Sequence, residues 1–258
     1  MAPALLRRVI GLTALGVGLV IGFTAPAATF AQAASPPAHT TAAAPLVVPV
    51  ALSADGITPA RTALLAGQPY RFVVTNTDTT AHPFLLEPAA ASTAPLTTGS
   101  TQAVTDRIAP GQSLTLEWTF TSPGDFQMAD DRVTPTDPAF AAAFTVVPAS
   151  TPTLSVQLDD FTVTPGTTQI KAGQLYLFEV TNTGAATHEF VMEPATAVDE
   201  PLAKVANGAK LEAEAEDIAP GQTTDLLWAF PTPGQYQMAC HVPGHFEAGM
   251  KATFTVVP

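Results

Sequence analysis

The chain has 258 residues, a formal net charge of −12 and one cysteine. Its 22 Asp and Glu against 10 Lys and Arg argue against nucleic acid and anionic membrane surfaces as partners and suit a basic protein partner. A lone cysteine excludes an intramolecular disulfide. Its thiol is then a buried core group, a link to another chain or a thiolate ligand, and its neighbours must decide.

At the amino end Arg7 and Arg8 precede the apolar stretch Val9 to Phe23, and Ala31 and Ala33 make an A-x-A site. This pattern predicts a secretory signal over residues 1–33, cleaved after Ala33. The apolar run is shorter than the roughly 18 to 20 residues a spanning helix needs. Cleavage removes two basic residues and no acidic one, moving the charge from −12 to −14. With no second long apolar run, the mature chain is expected to have no membrane span and to be exported, whether periplasmic, at the cell surface or secreted. Residues 34–45, "ASPPAHTTAAAP", read as a disordered linker in which His39 is solvated.

The rest repeats. "RFVVTNTDTTAHPFLLEP" (Arg71 to Pro88) recurs as "LFEVTNTGAATHEFVMEP" (Leu177 to Pro194) at an offset of 106. "IAPGQSLTLEWTFTSPGDFQMA" (Ile108 to Ala129) recurs as "IAPGQTTDLLWAFPTPGQYQMA" (Ile218 to Ala239) at an offset of 110. The difference of four places an insertion in the second copy, between His188 and Ile218. Runs such as "YRFVVTN", "SLTLEWTF" and "AAFTVV" in the first copy, and "VQLDDFTV", "LYLFEVTN", "TDLLWAF" and "ATFTVV" in the second, have strand composition or alternation. Turn signals "APGQ", "SPGD" and "TPGQ" separate them. The expected architecture is all-β, two tandem antiparallel sandwiches or barrels over 46–148 and 154–258 joined by a hinge at 149–153. Trp118 and Trp228 hold matching positions and are expected in the two cores.

In the second copy the spacing C-x4-H-x4-M gives Cys240, His245 and Met250, with His188 upstream at a predicted strand end. Two imidazoles, a thiolate and a thioether are the donors of a blue-copper site, a trigonal His, His, Cys set with a weak axial Met. Zinc would take four strong ligands, and a thioether adds little for it. Pro243 and Gly244 are expected to turn the loop, and Gly249 to let backbone pass closely.

"CHVPGHFEAGM" running into "KATFTVVP", with "TNTGAATHEF" upstream, resembles the cupredoxins, near rusticyanin and plastocyanin-like proteins in loop spacing. The resemblance covers the second copy and more loosely the first. It implies a Greek-key β-sandwich or barrel, one type 1 copper held by His188, Cys240, His245 and Met250, and single-electron transfer between redox partners. It also implies that the ring edge of His245 surfaces in an apolar patch flanked by Pro243, Gly244 and Phe246.

In the first copy Asp130, Pro135 and Phe140 stand where the second has Cys240, His245 and Met250, so the first is expected to bind no blue copper. His82 alone is kept; with Asp130 and Asp131 it could hold a harder ion, although exposed aspartates in a turn are commoner. His241 resembles a cluster ligand of laccase-type oxidases, but five histidines are too few for a trinuclear centre. As the neighbour of Cys240 on a strand it should point away from the metal, toward solvent or an interface. A nitrite-reductase-like second copper would have only His39, His82 and His241 to draw on. The run "KLEAEAED", with Glu212, Glu214, Glu216 and Asp217, reads first as a solvated face and second as a steering surface for a basic c-type cytochrome. The sequence therefore points to an exported electron carrier rather than an enzyme, with extracytoplasmic copper binding and delivery as the alternative.

Overall fold

A computed structural model describes residues 44–89, 95–132, 140–206 and 209–258, without the side chains of 205, 206 and 209–211. The signal, most of the linker with His39, and Pro135 lie outside the described residues. Among the described residues no helix is long and apolar enough to cross a membrane.

The first module is built from β1 (Leu46–Ser53), β2 (Gly56–Pro59), β3 (Ala63–Leu65), β4 (Pro69–Asn76), β5 (Leu85–Pro88), β6 (Thr97–Thr98), β7 (Thr101–Gln102), β8 (Ser113–Thr119), β9 (Gly124–Ala129) and β10 (Ala141–Val147). The second contains β11 (Thr153–Asp159), β12 (Thr162–Pro165), β13 (Gln169–Lys171), β14 (Leu175–Asn182), β15 (His188–Pro194), β16 (Ala203–Ala206), β17 (Ala209–Glu212), β18 (Glu214–Ile218), β19 (Thr223–Ala229), β20 (Gly234–Ala239) and β21 (Lys251–Val257). Each module is a sandwich of two main sheets. Their strand orders are β2-β1-β4-β8 and β3-β10-β9-β5 in the first, and β12-β11-β14-β19 and β13-β21-β20-β15-β18 in the second.

Alternation decides which face is buried. Val48, Val50 and Leu52 of β1 and Tyr70, Phe72 and Val74 of β4 all point into the first core. Val156 and Leu158 of β11 and Tyr176, Phe178 and Val180 of β14 do the same in the second. Phe230 stands edge-on to Phe178 and Phe254 there, filling the space between the sheets. Cys240 and Met250 belong to this same buried cluster, so two of the candidate ligands are part of the core.

Three expectations need correction. The sheets are mixed rather than purely antiparallel, because β1 runs parallel to β4 and β3 parallel to β10, as do β11 to β14 and β13 to β21. Each module's opening hairpin sends its next strand across to the opposite sheet, where it joins the module's last strand. "VQLDDFTV" is two strands, since Asp160 and Phe161 reverse the chain, with Phe161 at φ 67°. No Gly or Asn marks that turn, so period alone reads through it. Trp228 is 3% exposed, but Trp118 is only partly buried at the edge of the first core.

The predicted insertion has a definite address. The β6–β7 hairpin spans 97–102 and the β16–β17 hairpin spans 203–212. The two extra residues on each strand account for the whole change in offset. Between the modules Arg61 reaches Glu179 at 2.6 Å and Asp225 at 3.1 Å on the outer face of the second module's β14 and β19.

Candidate metal centre

The local chain order brings the donors together. His188 opens β15, Cys240 follows β20 by one residue, and these strands are antiparallel neighbours with Val191 opposite Ala239. The start of one strand therefore meets the end of the other. Between Cys240 and β21 the chain closes on itself: the backbone N–H of His245 donates to Val242 O at 2.9 Å, that of Met250 to His245 O at 3.0 Å, and that of Cys240 to Met250 O at 3.1 Å. Gly244 (φ 87°) and Gly249 (φ 101°) take backbone conformations that side chains disfavour, which is why glycine stands at both.

Nδ1 of His188 lies 3.2 Å from Nδ1 of His245, and Cys240 Sγ lies 3.9 Å and 3.5 Å from them. A point equidistant from these three atoms is about 2.1 Å from each, in the range of metal–nitrogen and just short of metal–sulfur bonds. The donor triangle thus fits a small soft ion without rearrangement. His188 and Cys240 are fully buried and His245 partly so. Met250, also fully buried, is tied through its backbone to both Cys240 and His245.

Electrostatics show what keeps the set together without a metal. Burial pushes the Cys240 thiol above its ordinary range, and the backbone N–H of Glu189 donates to Sγ at 3.5 Å. Burial, and then the charge of His245, holds the His188 imidazole below its usual value. At neutral pH the thiol keeps its proton and His188 is neutral, so two adjacent positive rings do not repel one another. Cys240 would have to give up its thiol proton to act as a ligand, so metal binding here would release a proton.

Nε2 of His188 faces Asp160 Oδ1 at 3.3 Å. The contact is not aligned as a hydrogen bond, and among the described residues Nε2 has no hydrogen-bond partner. Gly184 makes the approach feasible, because a Cβ there would fall 2.8 Å from His188 Nε2 and 2.5 Å from Asp160 Oδ1. Gly184→Ala is therefore expected to lower stability by about 1–3 kcal/mol through overpacking and to weaken metal binding as the ring is displaced. Thermal unfolding of the metal-free protein and a competitive metal titration would check the two effects separately.

Two expectations about the surroundings change. Phe246 does not flank His245; it stacks on His241 at 4.6 Å between centroids and is capped by Lys251 Nζ at 3.9 Å. The aromatic beside His245 is Phe161, edge-on at 5.4 Å and 50% exposed, delivered by the turn that the sequence pattern concealed. Pro243 and Gly244 are exposed as expected. His241 does turn from the donor triangle but is not solvated. Its side chain is 8% exposed, with Nε2 at 3.0 Å from the buried Glu193, which also accepts from Gln237. The buried acid was the missed signal, since an ionisable partner on β15 gives an imidazole reason to fold inward.

The acidic run is ordered, and part of it is a solvated face. It ends β17 and continues into β18 on the edge of the sheet beside β15, with Ala213 and the following Ile218 buried and Glu216 and Asp217 exposed. Burial, followed by repulsion from Glu212 and Glu216, raises the Glu214 carboxyl above its usual range.

The first module shows what replaced the metal set. Asp130, at the position of Cys240, is 2% exposed rather than solvated. Arg132 Nε donates to it at 2.7 Å, and Arg132 Nη1 to Asp78 at 2.7 Å and to Ser53 O at 3.0 Å. His82 is held by Asp78 at 3.0 Å and Asp131 at 3.4 Å, and Arg107 pairs with Asp131. His82, Asp130 and Asp131 do cluster, but two guanidinium groups already supply the positive charge that a cation would bring.

Comparison with known proteins agrees with the fold. Residues 133–256 match the family model of the cupredoxin-like domain. A copper-resistant cuproprotein CopI of Rubrivivax gelatinosus is 29% identical over 98 residues, covering 37% of this chain and 59% of that protein. One from Vibrio cholerae serotype O1 is 34% identical over 86 residues, covering 31% of this chain and 50% of its own. The match thus spans little more than half the length of these relatives. Reduced auracyanin of Roseiflexus castenholzii aligns at 20% identity over 41% of this chain and 97% of its own, with a TM-score of 0.32, too distant to add to the case. By this match and its sandwich architecture, the second module is a cupredoxin-like domain.

Proposed function

We propose that the second module binds one copper through His188, Cys240, His245 and Met250, and that the chain works in copper handling outside the cytoplasm. The observation that carries this is the buried triangle of two Nδ1 atoms and one Sγ with sides of 3.2, 3.5 and 3.9 Å. The relatives named as copper-resistant cuproproteins support copper as the ion and tolerance as the role. The sequence pattern of a signal supports export.

Bound copper would supply a one-electron couple between Cu(I) and Cu(II). The chain's own part is to hold two neutral imidazoles and a thiolate in one place while a self-bonded loop and two rigid strands keep them from moving. Phe161 and the loop cover His245 incompletely, leaving one ligand near the surface. A second reading rests on that exposure: the protein carries electrons between redox partners, with a basic c-type cytochrome suited to the acidic surface. That docking would be transient and salt-sensitive.

Copper-loaded, oxidised full-length protein should show an intense visible thiolate-to-copper band at one copper per chain; a colourless Cu(II) form would refute the site. Transfer of Cu(I) to a chelating acceptor then separates the readings. Copper handling requires release on mixing, whereas a carrier keeps its metal through repeated oxidation and reduction. Met250→Leu is close to volume-conserving and should cost less than about 1.5 kcal/mol. It is expected to keep the colour and shift the reduction potential; loss of copper would show that the thioether is a strong ligand rather than a weak axial one.

A further inference from the structure

We infer that Asp160 is a positioning residue for His188, its carboxylate charge beside Nε2 favouring the tautomer that carries hydrogen there and so leaving the Nδ1 lone pair toward Cys240 and His245. The inference rests on the proposed copper site, which it deepens.

Three observations converge on it. His188 is fully buried, and Asp160 Oδ1 at 3.3 Å is the carboxylate that faces a ring nitrogen with no hydrogen-bond partner among the described residues. The same Oδ1 is fixed from behind, accepting from the backbone N–H of Ala185 at 3.1 Å and of Ala186 at 3.2 Å. It is therefore a placed group and not a wandering surface acid. Space has also been cleared for it at Gly184, where any side chain would collide with both the carboxylate and Nε2.

The first copy reaches the same end by another route. There the residue at the position of Gly184 is Asp78, and its Oδ2 stands 3.0 Å from Nε2 of His82. Ala54 occupies the position of Asp160. Each module thus places one carboxylate against Nε2 of its histidine, supplied from a different position in the chain. In the first copy that carboxylate is shared with Arg132. In the second, among the described residues, no arginine or lysine pairs with Asp160, so its charge is free to act through the imidazole. A carboxylate on the far nitrogen of a ligating imidazole fixes its orientation and raises its basicity, and removing such a partner typically costs 10–100-fold in metal affinity. The more basic ring favours the higher oxidation state.

The test uses the full mature chain with Asp160→Ala and Asp160→Asn. Asn can still accept from Ala185 and Ala186, so it keeps the turn and removes only the charge. Long-range nitrogen–proton NMR of the metal-free protein reads the His188 tautomer without any copper. The wild type and the Asn variant should carry hydrogen on Nε2, and the Ala variant should show a mixture. In the copper-loaded protein the Ala variant should lose about 10–100-fold in Cu(II) over Cu(I) affinity, a rise in potential of about 60–120 mV for a one-electron couple. The Asn variant should fall between the Ala variant and the wild type. An unchanged tautomer and potential in the Ala variant would overturn the inference while leaving the copper site intact. A wild type that binds no blue copper would instead remove the site, and the metal-free tautomer would still decide whether Asp160 orients the ring.

Discussion

Cys240→Ser is expected to abolish the visible band entirely and to lower copper affinity by more than about 100-fold, beyond the loss typical of a partner one shell further out. The reason lies in the donor, not in the fold. A serine oxygen is harder than a thiolate and stays protonated, so the soft charged corner of the triangle disappears while both imidazoles remain. The substitution is nearly isosteric, and the N–H of Glu189 that now points at Sγ can donate to the hydroxyl. Burying that hydroxyl where Cys240 has no exposure should cost about 1–3 kcal/mol. Visible absorption and a copper titration, set beside thermal unfolding of the same metal-free samples, would tell ligand loss from misfolding. A variant that unfolds cooperatively but stays blue would refute thiolate ligation.

Arg61→Ala is expected to destabilise the chain by about 3 kcal/mol at pH 8, the lower end of the range for removing one partner of a buried pair, because Arg61 and Glu179 retain some contact with water. Asp225 bears most of the damage. Its side chain has no exposure, one oxygen has no hydrogen-bond partner, and burial pushes its carboxyl up to about 7 in spite of Arg61. A carboxyl raised in the fold takes up a proton that the unfolded chain does not between about pH 4 and 7. Its contribution to stability is therefore full in acid and lost as the pH rises through about 7. Without Arg61 the protonated acid needs no partner, so the deficit should shrink at pH 5. Unfolding of both proteins at pH 5 and pH 8 checks this. Equal deficits at the two values would show that the loss does not depend on the titration of Asp225.

The sequence by itself determined the repeated module, the sandwich strands and the absence of a cysteine from the first copy. Period-2 burial is written in one stretch of chain, and a donor such as Cys240 is either present or replaced by Asp130. It also identified which four side chains could act together, since three share one loop and the repeat gives His188 its strand. Only the tertiary structure decided what surrounds them. Asp160 reaches His188, and Phe161 reaches His245, from a turn some 30 to 80 residues away in sequence, through packing of β11 and β12 beside the loop. His241 turned inward because a buried glutamate on β15 waits for it. Arg132 and Asp78 meet around His82 only when two loops of the first module close. These contacts join segments that carry no shared period, and their energies come from burial and charge in the assembled fold rather than from local conformation.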